Sequence, residues 1–318
     1  MLFSSNSISN VNYIPSDKNT LGSFEKYGKI PINIACSSVL VTKTKAYIIG
    51  GFSDYKCTSK IYVANILPDD SLSEFIETSS LPFPISHGQL VVIGSRVYII
   101  GGRSDVVTNT VFTAKINEDG AISNWIIDLN LPSSLSNSSS LVLKDKLYMI
   151  GGYNGKKYSS SVFVTNIDNK NFLEEWRRCN SLPTAIANSI CTIIDDKVYL
   201  IGGMVENDYS NTIYRANITD AGISNWSMCG RLSAPISHSS AIRTRDNIYI
   251  IGGYGQGTRS CIHRASIEKD CLSDWDKYAE MPKKIACSLS VVIGDTAYVF
   301  GGFNGMDYSS TIYRAKLT

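Results

Sequence analysis

Short apolar runs of four or five residues recur along the chain between polar, turn-rich stretches, and each recurrence has the same internal order. A first run, such as Gln89–Ile93 or Ser290–Ile293, leads into a tight turn like Lys144-Asp145-Lys146, Arg245-Asp246-Asn247 or Gly294-Asp295. The second run is almost wholly apolar, as in Val97-Tyr98-Ile99-Ile100, which suits a strand buried on both faces. It stops at a glycine pair, where the backbone needs positive φ or a close approach. After a polar loop comes a third run, for example Thr212-Ile213-Tyr214-Arg215-Ala216-Asn217-Ile218. A fourth starts near a Trp or Phe and ends before Leu-Pro or an equivalent, as in Ser181-Leu182-Pro183. The pattern predicts four short antiparallel strands per unit in an all-β chain.

The units repeat with a fixed period. Glycine pairs stand at 50–51, 101–102, 151–152, 202–203, 252–253 and 301–302, separated by 51, 50, 51, 50 and 49 residues. Three positions before each pair is a tyrosine: Tyr47, Tyr98, Tyr148, Tyr199, Tyr249 and Tyr298. Twenty-six positions before it is Phe24, Phe75, Trp125, Trp176, Trp226 or Trp275. Eleven or twelve positions after it comes Tyr62, Phe112, Phe163, Tyr214, His263 or Tyr313. A four-stranded unit of about fifty residues cannot hide both faces alone, whereas radial stacking into a propeller buries them. The last repeat ends at Thr318 after its third strand, while residues 21–31 read as a fourth strand with no first three. The expected fold is therefore a six-bladed β-propeller over residues 21–318, with the N-terminal strand completing the C-terminal blade. Residues 1–20 are expected to form a polar tail.

The Tyr-x-x-Gly-Gly block in all six units and the spaced aromatic of each fourth strand resemble the kelch family of β-propellers, most closely its bacterial and phage members. The resemblance spans residues 21–318 and is specific for fold. Kelch propellers include cytoskeletal and ubiquitin-ligase adaptors, sialic acid mutarotases and a copper oxidase, so an activity inferred from the fold alone is analogy.

Composition narrows the setting. Lys and Arg total 30 against 28 Asp and Glu, a net charge of +2 that gives no electrostatic reason to bind nucleic acid or an anionic membrane. Hydrophobic residues make up 43% and charged residues 18%, which excludes wholesale disorder and long amphipathic helices. No apolar stretch is long enough to span a bilayer, and the N-terminus carries no secretory signal pattern, so intracellular synthesis and a cytoplasmic or virion location are expected. The eight cysteines contain no CxxC and read as free thiols.

Two sets of positions form candidate binding surfaces. In kelch proteins that bind peptides, the residue after Gly-Gly helps to form one face. The resemblance carries this onto Phe52, Arg103, Tyr153, Met204, Tyr254 and Phe303, five of them large and apolar or aromatic, as at binding hot spots. The competing reading is that these side chains fold down and pack on their neighbours. The second set lies fourteen residues before each pair: Cys36, His87, Asn137, Asn188, His238 and Cys287. Readers of acidic peptides tend to place arginine here, and this chain has none. His87 and His238 lie three blades apart, too far to share one zinc, so no metal or cofactor is implied and polar lining of a channel is the simpler reading. Cys36 and Cys287 belong to adjacent blades and can approach each other. Arg215, Arg264 and Arg314 follow the third-strand aromatic in the last three blades only, either as a basic arc or as arginines lying along their blades.

There is no HExxH, Gly-x-Ser-x-Gly elbow or P-loop. The leading expectation is a non-catalytic propeller that serves as a protein-interaction module or structural scaffold in a larger assembly, such as a phage tail or baseplate. The alternatives are a sugar-binding or mutarotase-like enzyme, for which Arg103 would supply a cation, and an intracellular peptide-binding adaptor. Partners are expected to be proteins, with carbohydrate as an alternative.

Overall fold

The computed structural model describes residues 18–206, 208–268 and 271–318, together with the backbone of Ser7–Ser9 and Asn12–Tyr13. Of the tail expected over residues 1–20, positions 1–6, 10–11 and 14–17 lie outside the described residues. No helix of the structure is long and apolar enough to cross a membrane. All six repeats fold as four-stranded antiparallel blades of a β-propeller, and the blades fall into two compact units.

One unit holds the second, third and fourth blades. The second is built from Gln89–Ile93, Arg96–Ile100, Val111–Lys115 and Ile126–Ile127. The third is built from Ser139–Leu143, Lys146–Ile150, Val162–Asn166 and Arg177–Arg178. In the fourth, Ile190–Ile194 pairs with Lys197–Val205, which pairs in turn with Asp208–Thr219 and Ser227–Arg231. Ser7–Ser9 extends the third blade at its inner edge, antiparallel to Ser139–Leu143. The other unit holds the fifth, sixth and first blades. The first runs Ser38–Val41, Lys45–Ile49, Lys60–Asn65 and Ile76–Ser80. The fifth runs Ser240–Arg243, Asn247–Ile251, Cys261–Glu268 and Asp276–Glu280, with Asn12–Tyr13 parallel to its inner strand.

The sixth blade closes as the repeat arithmetic predicts. Leu289–Ile293, Thr296–Phe300 and Thr311–Lys316 come from the C-terminal end, and Glu25–Lys29 supplies the outer strand. Its register sets Glu25 opposite Arg314 and Lys29 opposite Thr311. Residues 18–20, at the end of the expected tail, are bound into this closure. The amides of Asn19 and Thr20 both donate to the Thr318 carbonyl, and Thr318 N–H donates back to Thr20.

Burial explains the strand composition. The second strands lie between blades, so Val97, Tyr98, Ile99 and Ile100 are all fully buried. The outer strands are exposed and carry charge, as in Glu25–Lys29 and Asp276–Glu280. The aromatic just before the outer strand is the exception, and in four blades it turns inward against the preceding blade. Trp176 joins the core between the second and third blades, and Trp226 that between the third and fourth. Phe24 packs with Tyr249, Ile251 and Met281 of the fifth blade, and Phe75 with Tyr298 and Phe300 of the sixth. Each such ring contributes on the order of 2–3 kcal/mol of burial to a blade–blade seam.

The glycine pairs are blade-to-blade staples. Both residues have positive φ, for example +62° at Gly101 and +105° at Gly102. The second amide donates to a carbonyl entering the next blade, as in Gly102 to Leu135, Gly152 to Ile186 and Gly302 to Ile34, at 2.7, 2.8 and 2.7 Å. A side chain on the first glycine would collide with that carbonyl, since a Cβ at Gly101 would lie 2.2 Å from the Leu135 oxygen. The tyrosine three residues earlier does the same work at the other end of the strand. Tyr47 donates to the Gly120 carbonyl (3.0 Å), Tyr98 to Asn171 (2.7 Å) and Tyr298 to Asp70 (2.9 Å). Burial pushes the Tyr98 and Tyr298 hydroxyls up to about 12, which keeps them protonated donors.

Candidate interaction face

Each residue after a glycine pair sits where a strand has just left the blade core. In four blades it exchanges two backbone hydrogen bonds with the residue preceding the second candidate position: Phe52 with Ala35, Tyr153 with Ser136, Met204 with Ala187 and Phe303 with Ala286. In these four blades the structure brings the two candidate sets together, one pair per blade. Phe52 lies beside Cys36, Tyr153 beside Asn137, Met204 beside Asn188, and Phe303 beside Cys287.

The second set shares one unusual backbone state. Cys36, His87, Asn137, Asn188, His238 and Cys287 all have φ between +52° and +56°. Outside glycine this left-handed conformation is uncommon, and Asn and His are among the residues that tolerate it best. It is held by hydrogen bonds from blade to blade. In one unit Asn137 N–H donates to His87 (3.0 Å) and Asn188 N–H to Asn137 (2.8 Å). In the other, Cys287 N–H donates to His238 (2.8 Å) and Cys36 N–H to Cys287 (3.0 Å). Burial pushes the His238 imidazole down to about 4, so it is neutral at pH 7. Among the described residues, no cluster of three or more His, Cys, Asp or Glu side chains is placed to hold a metal ion.

The first set is half-buried at Phe52, Tyr153, Met204, Tyr254 and Phe303, and exposed at Arg103. Phe52 and Phe303 pack on Tyr308, and Tyr153 packs on Tyr158, while each stays half-buried. Tyr308 lies at the centre of one group, with ring centroids 5.5 Å from Phe303, 5.7 Å from Phe52 and 5.8 Å from Tyr55. In the other unit Tyr153 packs 5.6 Å from Tyr158, and Tyr158 and Asn188 reach the Met204 sulfur at 3.9 and 3.8 Å.

Sequence reasoning missed Tyr55, Val106, Met306 and the tyrosines that buttress this face. The repeat held a signal for the last of these, because Tyr158, Tyr209 and Tyr308 each stand seven positions after the first glycine of their pair. Tyr55, Val106 and Met306 are 80%, 73% and 83% exposed. Tyr55 is carried outward on a strained turn. The hairpin pairs Phe52–Ser53 with Lys56–Cys57, and its two turn residues, Asp54 and Tyr55, have φ of +48° and +60°. Positive φ at both centres is the type I′ arrangement, where Asn-Gly is the favoured sequence and a tyrosine is costly.

Two of the three late arginines lie along their blades. Arg264 stacks over Tyr278 at 5.0 Å, and Arg314 over Tyr27 at 4.7 Å while pairing with Glu25 at 2.8 Å. His263, at the third-strand aromatic position, has its pKa lowered by burial and by Arg259 and Lys277.

A family model described as the KLHDC2/KLHL20/DRC7 Kelch-repeats domain matches residues 86–302. No curated protein matches the chain. Among solved structures, that of YjhT is similar with a TM-score of 0.72 at 15% sequence identity, covering 89% of this chain and 95% of that one. At that identity the likeness speaks for the fold.

Proposed function

The chain belongs to the kelch-repeat β-propeller family, and from that premise we propose that it is a non-catalytic protein-interaction module whose partner engages the aromatic group around Tyr308. The observation that carries this reading is Tyr55. A large aromatic occupies a turn position that favours glycine, stands 80% exposed and leans on Tyr308, which in turn joins Phe52 and Phe303. Strain of this kind costs about 1–3 kcal/mol and concentrates at functional positions. Exposed aromatics on a packed base have the composition of a hot spot.

The finer reading is a docking subunit of a larger assembly, a virion tail or baseplate among them. It is supported by the near-neutral charge and by loops rich in Ser and Asn. A sugar-acting enzyme needs an acid–base pair beside its cation. Arg103 supplies the cation, but the matching positions of the next two blades carry Tyr153 and Met204.

The test is to isolate the protein from its native source with and without the substitutions Tyr55→Ser and Tyr308→Ser. A partner retained by the wild type and released by both variants, with melting temperature held within a few degrees for Tyr55→Ser, supports the reading. A partner retained by both variants, or purified protein that accelerates sugar anomer exchange, overturns it.

A further inference from the structure

Beside the aromatic group lies a pair of thiols whose placement has chemistry of its own. Cys36 and Cys287 occupy the same repeat position in the first and sixth blades, with φ of +52° and +53°. The amide of Cys36 donates to the Cys287 carbonyl at 3.0 Å. A single backbone hydrogen bond of that length holds two residues within the Cα separation of roughly 4.4–6.8 Å that a disulfide spans. Both cysteines stand at the same repeat position with matching left-handed φ, and the Cys287 side chain is the first cause of the raised Cys36 pKa. The analogous steps from Asn188 to Asn137 and from Cys287 to His238 bring no second sulfur.

We propose that Cys36 and Cys287 form an oxidisable dithiol site, which two-electron oxidants of the peroxide class close into a disulfide joining the first and sixth blades. In the first step one thiol sulfur attacks peroxide, giving a sulfenic acid and one water. The second thiol then displaces hydroxide from the sulfenyl sulfur, so the S–S bond forms and a second water leaves with the released proton. Two thiols lose two hydrogens, and one peroxide is reduced to two waters. In the reduced state the neighbouring Cys287 thiol, followed by burial, holds the Cys36 pKa well above its ordinary value, so Cys36 rests as the neutral thiol.

The site adjoins the aromatic group. Phe52 and Phe303 are each bonded through the backbone to the residue preceding one of the two cysteines, and Tyr308 lies near both thiols. Cys57, in the Tyr55 hairpin, is the competing thiol, and its sulfur contacts the Ser86 hydroxyl at 3.2 Å.

The full-length protein, treated with hydrogen peroxide and then alkylated, is mapped by mass spectrometry without reduction. The expected product is a cross-linked peptide pair containing Cys36 and Cys287, two hydrogens lighter than the reduced pair and released by dithiothreitol. Its melting temperature is expected to rise by several degrees, because the bridge closes a very long loop. The proposal is overturned if both cysteines are recovered alkylated when the exposed thiols Cys229 and Cys271 are already oxidised. It is overturned equally if Cys36 is joined to Cys57, or if each sulfur ends as a separate sulfinic acid. Because the readout comes from the wild-type chain, it does not depend on a variant that folds.

Discussion

The Tyr249 hydroxyl donates to the carbonyl of Asn19 at 3.0 Å, across 230 positions of sequence. In other blades the equivalent tyrosine reaches a turn between the third and fourth strands of its neighbour, at Gly120, Asn171 or Asp70. The sixth blade has no such turn, because its third strand comes from one end of the chain and its fourth from the other. Asn19 stands in for it, with Thr244 and Asn247 also donating to its carbonyl.

Tyr249→Phe is expected to cost ~1 kcal/mol, because the Asn19 carbonyl keeps two other donors. Its effect should be local, seen as faster hydrogen exchange in Glu25–Lys29 than elsewhere. Tyr98→Phe should cost more, ~1–3 kcal/mol, since it removes a short bond to the Asn171 carbonyl. Equal exchange profiles in the two variants would refute the special role of Asn19.

Two glycines separate steric need from backbone need. Gly101→Ala places a Cβ 2.2 Å from the Leu135 carbonyl oxygen as well as straining φ, and a loss of at least ~3 kcal/mol is expected. Gly257 also has positive φ, at +109°, but no atom lies within 4 Å of its would-be Cβ. Gly257→Ala carries the backbone strain alone and should cost ~1–2 kcal/mol, less than Gly101→Ala. Urea titration of both variants tests the difference.

His238 predicts a pH dependence of stability. Its folded pKa of about 4 lies below the ordinary value of 6.5, so between these values the unfolded chain binds the proton more readily. Stability from this residue is complete above pH 6.5 and falls as pH drops towards 4, by up to ~3 kcal/mol. His238→Asn, which keeps a residue suited to left-handed backbone, should flatten the decline in melting temperature over that interval.

Replacing Tyr55 with Gly should separate stability from binding. Glycine relieves a left-handed backbone strain of ~1–2 kcal/mol, so the variant should melt higher while binding its partner more weakly. A lower melting temperature would mean that the contact with Tyr308 outweighs the strain.

The blade architecture was legible because every strand position recurs six times, and because the two unpaired ends of the repeat sum to one blade. Phe24 marked the closing strand at the distance where four blades carry Trp, and the structure places it in the same kind of seam. The candidate face was only half legible. Phe52 and Phe303 follow from the glycine spacing, but Tyr308 is matched in only some blades, and Tyr55 sits in a turn whose sequence, Ser-Asp-Tyr-Lys, lacks the glycine that announces a type I′ hairpin. The shared left-handed backbone of Cys36, His87 and Asn137 was hidden for another reason. Residues of unlike chemistry meet there because backbone geometry, not side-chain type, is what recurs.

The bonds between Thr318 and residues 19–20 leave the strand order without a fixed starting point. A short linker from Thr318 to Asn19, with the chain reopened at Gly120, would give a circular permutant in which Tyr47 meets a chain end and Tyr249 meets a covalent turn. Such a protein should keep the same blades, with the seam moved from the sixth to the second.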